Sequence, residues 1–212
     1  MKQYYLVLLA ALMLIACKKD VTHDNGEYAF LGGEIINPNS PYLILSKFEK
    51  VLDTITLDDN NRFLYKIDNL DAGLYSFSSG GEFQLVLLES RDSIMIRLNT
   101  IDFDESLVFT GKGAKKNNYL INMFLETEVE EEKVLGLSQL LPEKFEARLD
   151  EIKEAKTKKL QAFNKKHSNS ELFNKIAQAN IDYNYYLSKE VYPFAYYGNN
   201  ELKNLESLPE DF

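Results

Sequence analysis

From Tyr28 to Thr110 apolar and polar side chains alternate. Phe63, Tyr65 and Ile67 are interleaved with Arg62 and Lys66, Phe83, Leu85 and Leu87 with Glu82 and Gln84, and Ile94, Ile96 and Leu98 with Ser93 and Arg97. A period of two puts successive side chains on opposite faces of an extended chain, so these segments are expected to be half-buried strands with the apolar sets facing a core. Turn-forming clusters fall between them at Pro38-Asn39-Ser40, Asp58-Asp59-Asn60-Asn61, Asp71-Ala72-Gly73 and Ser79-Gly80-Gly81. Their spacing predicts about eight short strands at hairpin intervals, the signature of an antiparallel β-sandwich over residues 28–113.

After Gly111-Lys112-Gly113 the apolar spacing changes to a period of about 3.6 and the strand punctuation stops, which predicts helices. Asn117 or Asn118 is a candidate cap for a helix carrying Leu120, Ile121, Phe124 and Leu125. Pro142 suits a first helical turn, where its missing N–H removes no hydrogen bond, and Phe145, Leu149, Ile152, Leu160 and Phe163 then share one stripe. Ser168-Asn169-Ser170-Glu171 matches a capping box, in which hydroxyl and carboxylate satisfy amides at the start of a third helix with Phe173, Ile176, Tyr183 and Leu187. Lys166 to Asn169 then joins an antiparallel helix pair. The expected class is α+β, an N-terminal β-sandwich followed by a helical region over residues 114–212.

Ahead of the sandwich, Lys2 precedes an apolar run from Tyr4 to Ala16 that is too short for a roughly 30 Å hydrocarbon core and reads as a signal peptide over residues 1–16. The run closes on Leu14-Ile15-Ala16-Cys17, which resembles the lipobox of bacterial lipoproteins. The resemblance implies a diacylglycerol thioether on Cys17 and attachment to a membrane through it. Cys17 is the one cysteine of the chain, so no disulfide, CxxC or free thiolate nucleophile is available. Residues 17–27 then form a polar, aperiodic tether beginning at the lipidated cysteine. Lys18 stands where an acidic residue is associated with inner-membrane retention in some bacteria, which leans the location to the outer membrane, facing the periplasm or displayed at the surface. A formal net charge of −9, one unit more negative once Lys2 is removed, disfavours nucleic acid as a partner.

Residues with chemical potential have stronger structural explanations. His23 falls in the tether and His167 in the interhelical turn, neither with a sequence neighbour that makes a nucleophile–base pair or a metal spacing. Gly111-Lys112-Gly113 lacks the spacing of a phosphate loop, and Asp58-Asp59-Asn60-Asn61 lacks the alternating oxygens and distal glutamate of a calcium loop. The run Glu126, Glu128, Glu130, Glu131 and Glu132 reads as a solvated face. No catalytic residue, metal site or cofactor is expected. Tyr183, Tyr185, Tyr186, Tyr192, Tyr196 and Tyr197 are different, because so many rings cannot all lie on one helical face. Tyr185, Tyr192, Phe194, Tyr196 and Tyr197 are therefore candidate partner contacts. Either these rings and Phe212 stay partly exposed in one apolar patch, or they fold back onto the Phe145 to Phe163 stripe.

The order of lipobox, period-two region and helical region resembles the N-terminal part of thioredoxin-like disulfide reductase lipoproteins of Bacteroidetes. The similarity is carried by Phe30-Leu31-Gly32-Gly33-Glu34-Ile35, Asp53-Thr54-Ile55, Leu57-Asp58-Asp59-Asn60-Asn61-Arg62-Phe63, Gly73-Leu74-Tyr75, Asp92-Ser93-Ile94-Met95-Ile96 and Phe109-Thr110-Gly111-Lys112-Gly113-Ala114-Lys115-Lys116-Asn117-Asn118. Ile181-Asp182-Tyr183-Asn184-Tyr185-Tyr186, Tyr192-Pro193 and Leu208-Pro209-Glu210-Asp211-Phe212 look like the family's spacer. Asn61 replaces the usual hairpin glycine, and asparagine tolerates the positive φ that such a turn needs. The family's CxxC lies in a C-terminal thioredoxin fold whose strand-helix pattern does not begin within these residues, so no catalytic residue carries over. The resemblance implies a noncatalytic tethering and positioning module whose partner is a thioredoxin-fold domain or another envelope protein. The rival expectation is a free-standing envelope lipoprotein that binds a peptide, glycan or protein.

Overall fold

The computed structural model describes residues 26–198; Cys17, His23, the tether up to Asn25 and the tail that holds Leu208 to Phe212 lie outside the described residues. Within them are eight strands, β1 (Tyr28–Ile36), β2 (Tyr42–Lys47), β3 (Lys50–Thr56), β4 (Arg62–Asp68), β5 (Gly73–Ser79), β6 (Glu82–Leu88), β7 (Ser93–Asn99) and β8 (Val108–Lys112). Three helices follow, α1 (Ala114–Leu137), α2 (Pro142–Lys166) and α3 (Glu171–Tyr197). The strands form two four-stranded sheets, ordered β4-β1-β7-β8 and β3-β2-β5-β6. The α+β class and the N-terminal sandwich of eight strands are thus observed.

Every paired neighbour is antiparallel except β1 and β7, which run parallel with Leu31 opposite Ile94 and Ile35 opposite Leu98. Two connections are two-residue hairpins. Gly80 and Gly81, both at positive φ, close β5–β6, and Phe48-Glu49 closes β2–β3. The segments at Pro38 to Ser40, Asp58 to Asn61 and Asp71 to Gly73 are not hairpins but crossings from one sheet to the other. A turn residue reports that the chain bends there but not which strand it will next pair with. Asp58 holds its crossing by accepting from the Asn60 and Arg62 amides at 2.8 and 2.9 Å, and Asn61 takes φ 58.

The sandwich interior is built from alternating residues, among them Leu31 and Ile35, Leu43 and Leu45, Phe63 and Ile67, Tyr75 and Phe77, and Ile94, Ile96 and Leu98. Gly33 belongs to the same inward row at φ 153, and a Cβ there would lie 2.1 Å from the Ile96 carbonyl oxygen, so close strand approach requires glycine. On β6 the expected alternation is inverted. Gln84, Val86 and Leu88 face inward, whereas Phe83 and Leu85 are exposed. Val86-Leu87-Leu88 is apolar on both faces because Leu87 is buried beneath the helices, so parity alone did not identify the core side. Gln84 is tolerated inside because its amide donates to Asp104 and its carbonyl accepts from the Leu85 amide.

The helices are seated on the sandwich by the first turn of α1. The helix begins after Gly113 with no side-chain cap, so neither Asn117 nor Asn118 caps it. Both asparagines instead bond strand edges. Asn118 accepts from the Phe109 amide at 3.0 Å and donates to the Phe109 carbonyl at 2.7 Å, standing in for a strand beside β8. Asn117 does the same for Leu87 on β6, and Lys116 between them and the strands reaches Glu89 and Asp92, both at 2.6 Å. Leu74 and Leu87 on the outer face of β5–β6 then pack with Met123, Leu160, Phe173, Ala177 and Ile181.

Pro142 opens α2 as expected, and Lys165 and Lys166 sit in its last turn, where the helix dipole favours cations. The cap of α3 is Ser170 rather than Ser168, its hydroxyl accepting from the Phe173 amide at 3.0 Å. Tyr119, Phe163 and Phe173 form an aromatic cluster with centroid separations of 4.4 to 5.7 Å, and His167 packs edge-on against Phe163 at 4.7 Å. Leu160 and Leu149 of the expected stripe are buried with Phe145, but Tyr183 and Leu187 of α3 are exposed.

Candidate functional site

The three helices pack against β5–β6 at one end and around Phe145, Leu149 and Tyr192 at the other, and an apolar groove of about 360 Å³ lies between them. Val134 and Leu135 come from α1, Leu149 and Ile152 from α2, and Leu187 and Val191 from α3. Tyr185 also lines it. Its hydroxyl donates to Asp150 at 2.9 Å, and burial followed by this carboxylate pushes its pKa up to about 12.

The cations at the rim are committed to partners. Lys153 pairs with Asp182 at 2.8 Å and lies 4.5 Å from the centroid of the Tyr185 ring, and the Asp182 bond holds the lysine above its ordinary range and the carboxyl below its own. Lys156 pairs with Glu130 at 2.6 Å and donates to the Thr127 hydroxyl at 3.1 Å. With both rim lysines paired and the Glu131 carboxylate also lining it, the groove suits apolar side chains or an apolar ligand rather than an anion, and its size falls within the usual range for small-molecule pockets. Among the described residues no group of His, Cys, Asp and Glu is arranged to hold a metal ion.

The tyrosine-rich segment divides between core and surface. Tyr192 is fully buried, stacked on Phe145 at 4.2 Å and on Tyr196 at 5.2 Å, with its hydroxyl donating to the Leu140 carbonyl at 2.8 Å. It is therefore a structural residue and not a partner contact, because its aromatic area is already used inside the helical region. Tyr196 and Tyr197 are half-buried and meet edge-to-face at 4.8 Å. Phe194 is 53 % exposed, and Tyr183, Leu187 and Val191 precede it at helical intervals on the same side of α3 with 65, 39 and 44 % exposure. The sequence expectation of either one exposed patch or complete folding back is thus met by neither alone. Leu187 and Val191 belong to both the groove and this stripe, and Leu135 on the facing wall is also exposed, which sequence spacing on α3 alone did not reveal.

No helix among the described residues is long and apolar enough to cross a membrane. Comparison of the chain with protein-family models and with curated proteins found no match.

Proposed function

We propose that this chain is a noncatalytic lipoprotein of the bacterial cell envelope, attached through Cys17 and built to position a protein partner against its helical region. The supporting observation is the run Tyr183, Leu187, Val191 and Phe194, open on α3 and continuous with the groove. These side chains leave 39 to 65 % of their surface exposed, and a contiguous apolar surface of this kind is characteristic of contact sites. Following the resemblance in the sequence, the partner is a thioredoxin-fold domain, and the location is the outer membrane facing the periplasm. The sandwich is the spacer between lipid and helices.

The anchor and the partner are tested separately. A competent bacterial host should incorporate labelled fatty acid into the wild type and not into Cys17→Ser. Residues 18–212 should sediment with a thioredoxin-fold domain taken from a longer member of the resembled family, and Phe194→Asp should abolish that complex. In an insulin-reduction assay with dithiothreitol the chain alone should match the protein-free blank, because thiol exchange needs a thiolate and Cys17 would carry a thioether.

The groove favours a second reading, a free-standing lipoprotein that binds a peptide, glycan or protein. Its apolar lining suits the side chains of a peptide better than the hydroxyls of a glycan. Saturable binding of an apolar peptide, blocked by Ile152→Trp, together with no affinity for the thioredoxin-fold domain, would select this reading.

A further inference from the structure

Phe48 occupies a position that the fold gives it no reason to hold. The β2–β3 hairpin closes on Phe48-Glu49 between the paired residues Lys47 and Lys50. φ is 53° at Phe48, the first of the two turn residues, a conformation ordinarily left to glycine or asparagine. Three of the other non-glycine residues at positive φ are Asn37, Asn61 and Asn69, which suffer less from this conformation than a bulky ring does. The Phe48 side chain is 87 % exposed, the highest value for a large apolar residue among the described residues, and Val51 and Leu52 beside it are 56 and 43 % exposed. Its support comes from below. Lys47 pairs with Asp71 at 2.5 Å, and its ammonium lies 5.8 Å from the Phe48 ring and 5.0 Å from that of Tyr75.

The tip lies at the end of the sandwich where the N-terminal segment enters. The Leu70 amide donates to the Glu27 carbonyl at 2.8 Å, and Asp71, the next residue, holds Lys47. The segment between Cys17 and Gly26 can reach at most about 30 Å when extended, so an anchor on Cys17 keeps this end near the bilayer. Lys50, Arg91, Lys112 and Lys115 are exposed at the same end; Glu27 and Glu49 are exposed there too, while Asp68 pairs with Lys66 and the carboxylates of Glu89 and Asp92 are taken by Lys116.

We propose that the Phe48 tip of the β2–β3 hairpin seats in the interfacial layer of the membrane to which the chain is tethered, fixing which way the sandwich stands. This rests on the anchored reading above. An apolar phenylalanine ring gains by burial at the boundary between headgroups and acyl chains, and exposed lysine and arginine favour an anionic lipid surface. One ring is a weak contact by itself, but tethering makes its insertion an intramolecular event at high effective concentration. The hairpin thus adds a second point of contact to the lipid attachment and orients the helical groove along a defined direction.

The chain contains no tryptophan, so Phe48→Trp and, as a control at the other end of the sandwich, Phe83→Trp each introduce a single tryptophan whose emission can be excited apart from that of the tyrosines. Both would be made as the full chain in an acylating host and reconstituted into phosphatidylethanolamine–phosphatidylglycerol vesicles. Emission from Phe48→Trp should move to shorter wavelength and be quenched by lipids brominated in the acyl chains, while Phe83→Trp stays unshifted and unquenched. Acylation is read independently by mass. Acylated protein whose Phe48→Trp emission is unshifted, or no more quenched than Phe83→Trp, overturns the proposal, as does a shift that requires an added protein. Absence of acylation overturns the anchor reading itself and this inference with it. Phe48→Gly should leave the urea midpoint unchanged or raised; a large loss would assign the ring a structural role and overturn the proposal.

Discussion

Asn117 and Leu87 are joined by two hydrogen bonds, the Leu87 amide donating to Asn117 Oδ1 at 2.7 Å and Asn117 Nδ2 donating to the Leu87 carbonyl at 3.0 Å. One side chain therefore does for β6 what a neighbouring strand would do, at an edge that would otherwise present unpaired backbone. The site is buried, so no water replaces a lost partner. Asn117→Ala should cost about 3 kcal/mol, the penalty for leaving a buried donor and acceptor unsatisfied. Asn118→Ala, at the less buried β8 edge, should cost about half as much. Urea unfolding followed by circular dichroism measures both, and equal, negligible losses would show that these bonds do not hold the helices to the sandwich.

Lys116 bridges the carboxylates of Glu89 and Asp92 within the same junction, and Asp92 also accepts from the Glu89 amide at 2.9 Å. Replacing the cation with Met strands two acids in a poorly hydrated place and should cost about 3–5 kcal/mol. Adding Glu89→Gln and Asp92→Asn should recover most of that loss, since the problem is the uncompensated charge rather than the missing attraction. Asp71→Asn is the contrasting case. Asp71 is 84 % exposed in its pair with Lys47, and the change should cost less than about 1 kcal/mol. A similar effect at the two sites in chemical denaturation would contradict this distinction.

These junction residues show where sequence reading succeeded and where it stopped. The sandwich and three helices were legible because period two and period 3.6 follow from which side chains must leave water. Pro142 was legible as a helix start for an equally local reason. Asn117 and Asn118 were identified as residues at a helix start, but their partners, Leu87 and Phe109, lie far enough away along the chain that only the assembled sheets show them. The same holds for β6, where the helices cover Leu87 and so remove the contrast between faces. The Phe48 turn gave no sequence signal because phenylalanine stands where glycine would announce a bend. The candidate groove was least legible, since its walls come from three helices and depend on how they pack.

Tyr192 and Tyr185 make the helical region sensitive to alkali. Both have pKa values pushed up to about 12, Tyr192 by burial and then by Tyr196, Tyr197 and Glu143, and Tyr185 by burial and then by Asp150. In the unfolded chain each ionises near its ordinary value of 10.0, so the unfolded state releases its protons first as pH rises. Their contribution to stability is therefore complete below pH 10 and lost progressively towards pH 12. A phenolate at Tyr192 also cannot donate to the Leu140 carbonyl. Phenolate absorbance should show these two rings titrating late, together with loss of helical circular dichroism, and Tyr192→Phe should reduce the steepness of that loss. Titration of all tyrosines as one class near pH 10 with the helices intact would refute the assignment.

The exposed stripe of α3 makes the sharpest functional prediction because its residues and Tyr192 share one helix but have opposite structural roles. Tyr192 is stacked in the core, so Tyr192→Ala should destabilise by about 3–5 kcal/mol and weaken any function only through loss of fold. Phe194 and Leu187 are only partly buried. Phe194→Asp and Leu187→Asp should each cost about 1–2 kcal/mol, well short of the Tyr192→Ala loss, the first placing a carboxylate in the last turn of α3 and the second at the edge of an apolar groove. If the stripe is a contact surface, these variants should nevertheless lose association with a partner, and wild-type residues 18–212 should bind a hydrophobic dye more strongly than either variant. Leu187 is the more informative position because it also lines the groove, whereas Phe194 is not among the groove residues. A partner that docks across both is sensitive to both substitutions; a ligand confined to the groove is sensitive to Leu187→Asp alone. A wild-type product that is strictly monomeric, unfolds cooperatively, binds no dye and has no affinity for a thioredoxin-fold domain would eliminate the docking role of α3.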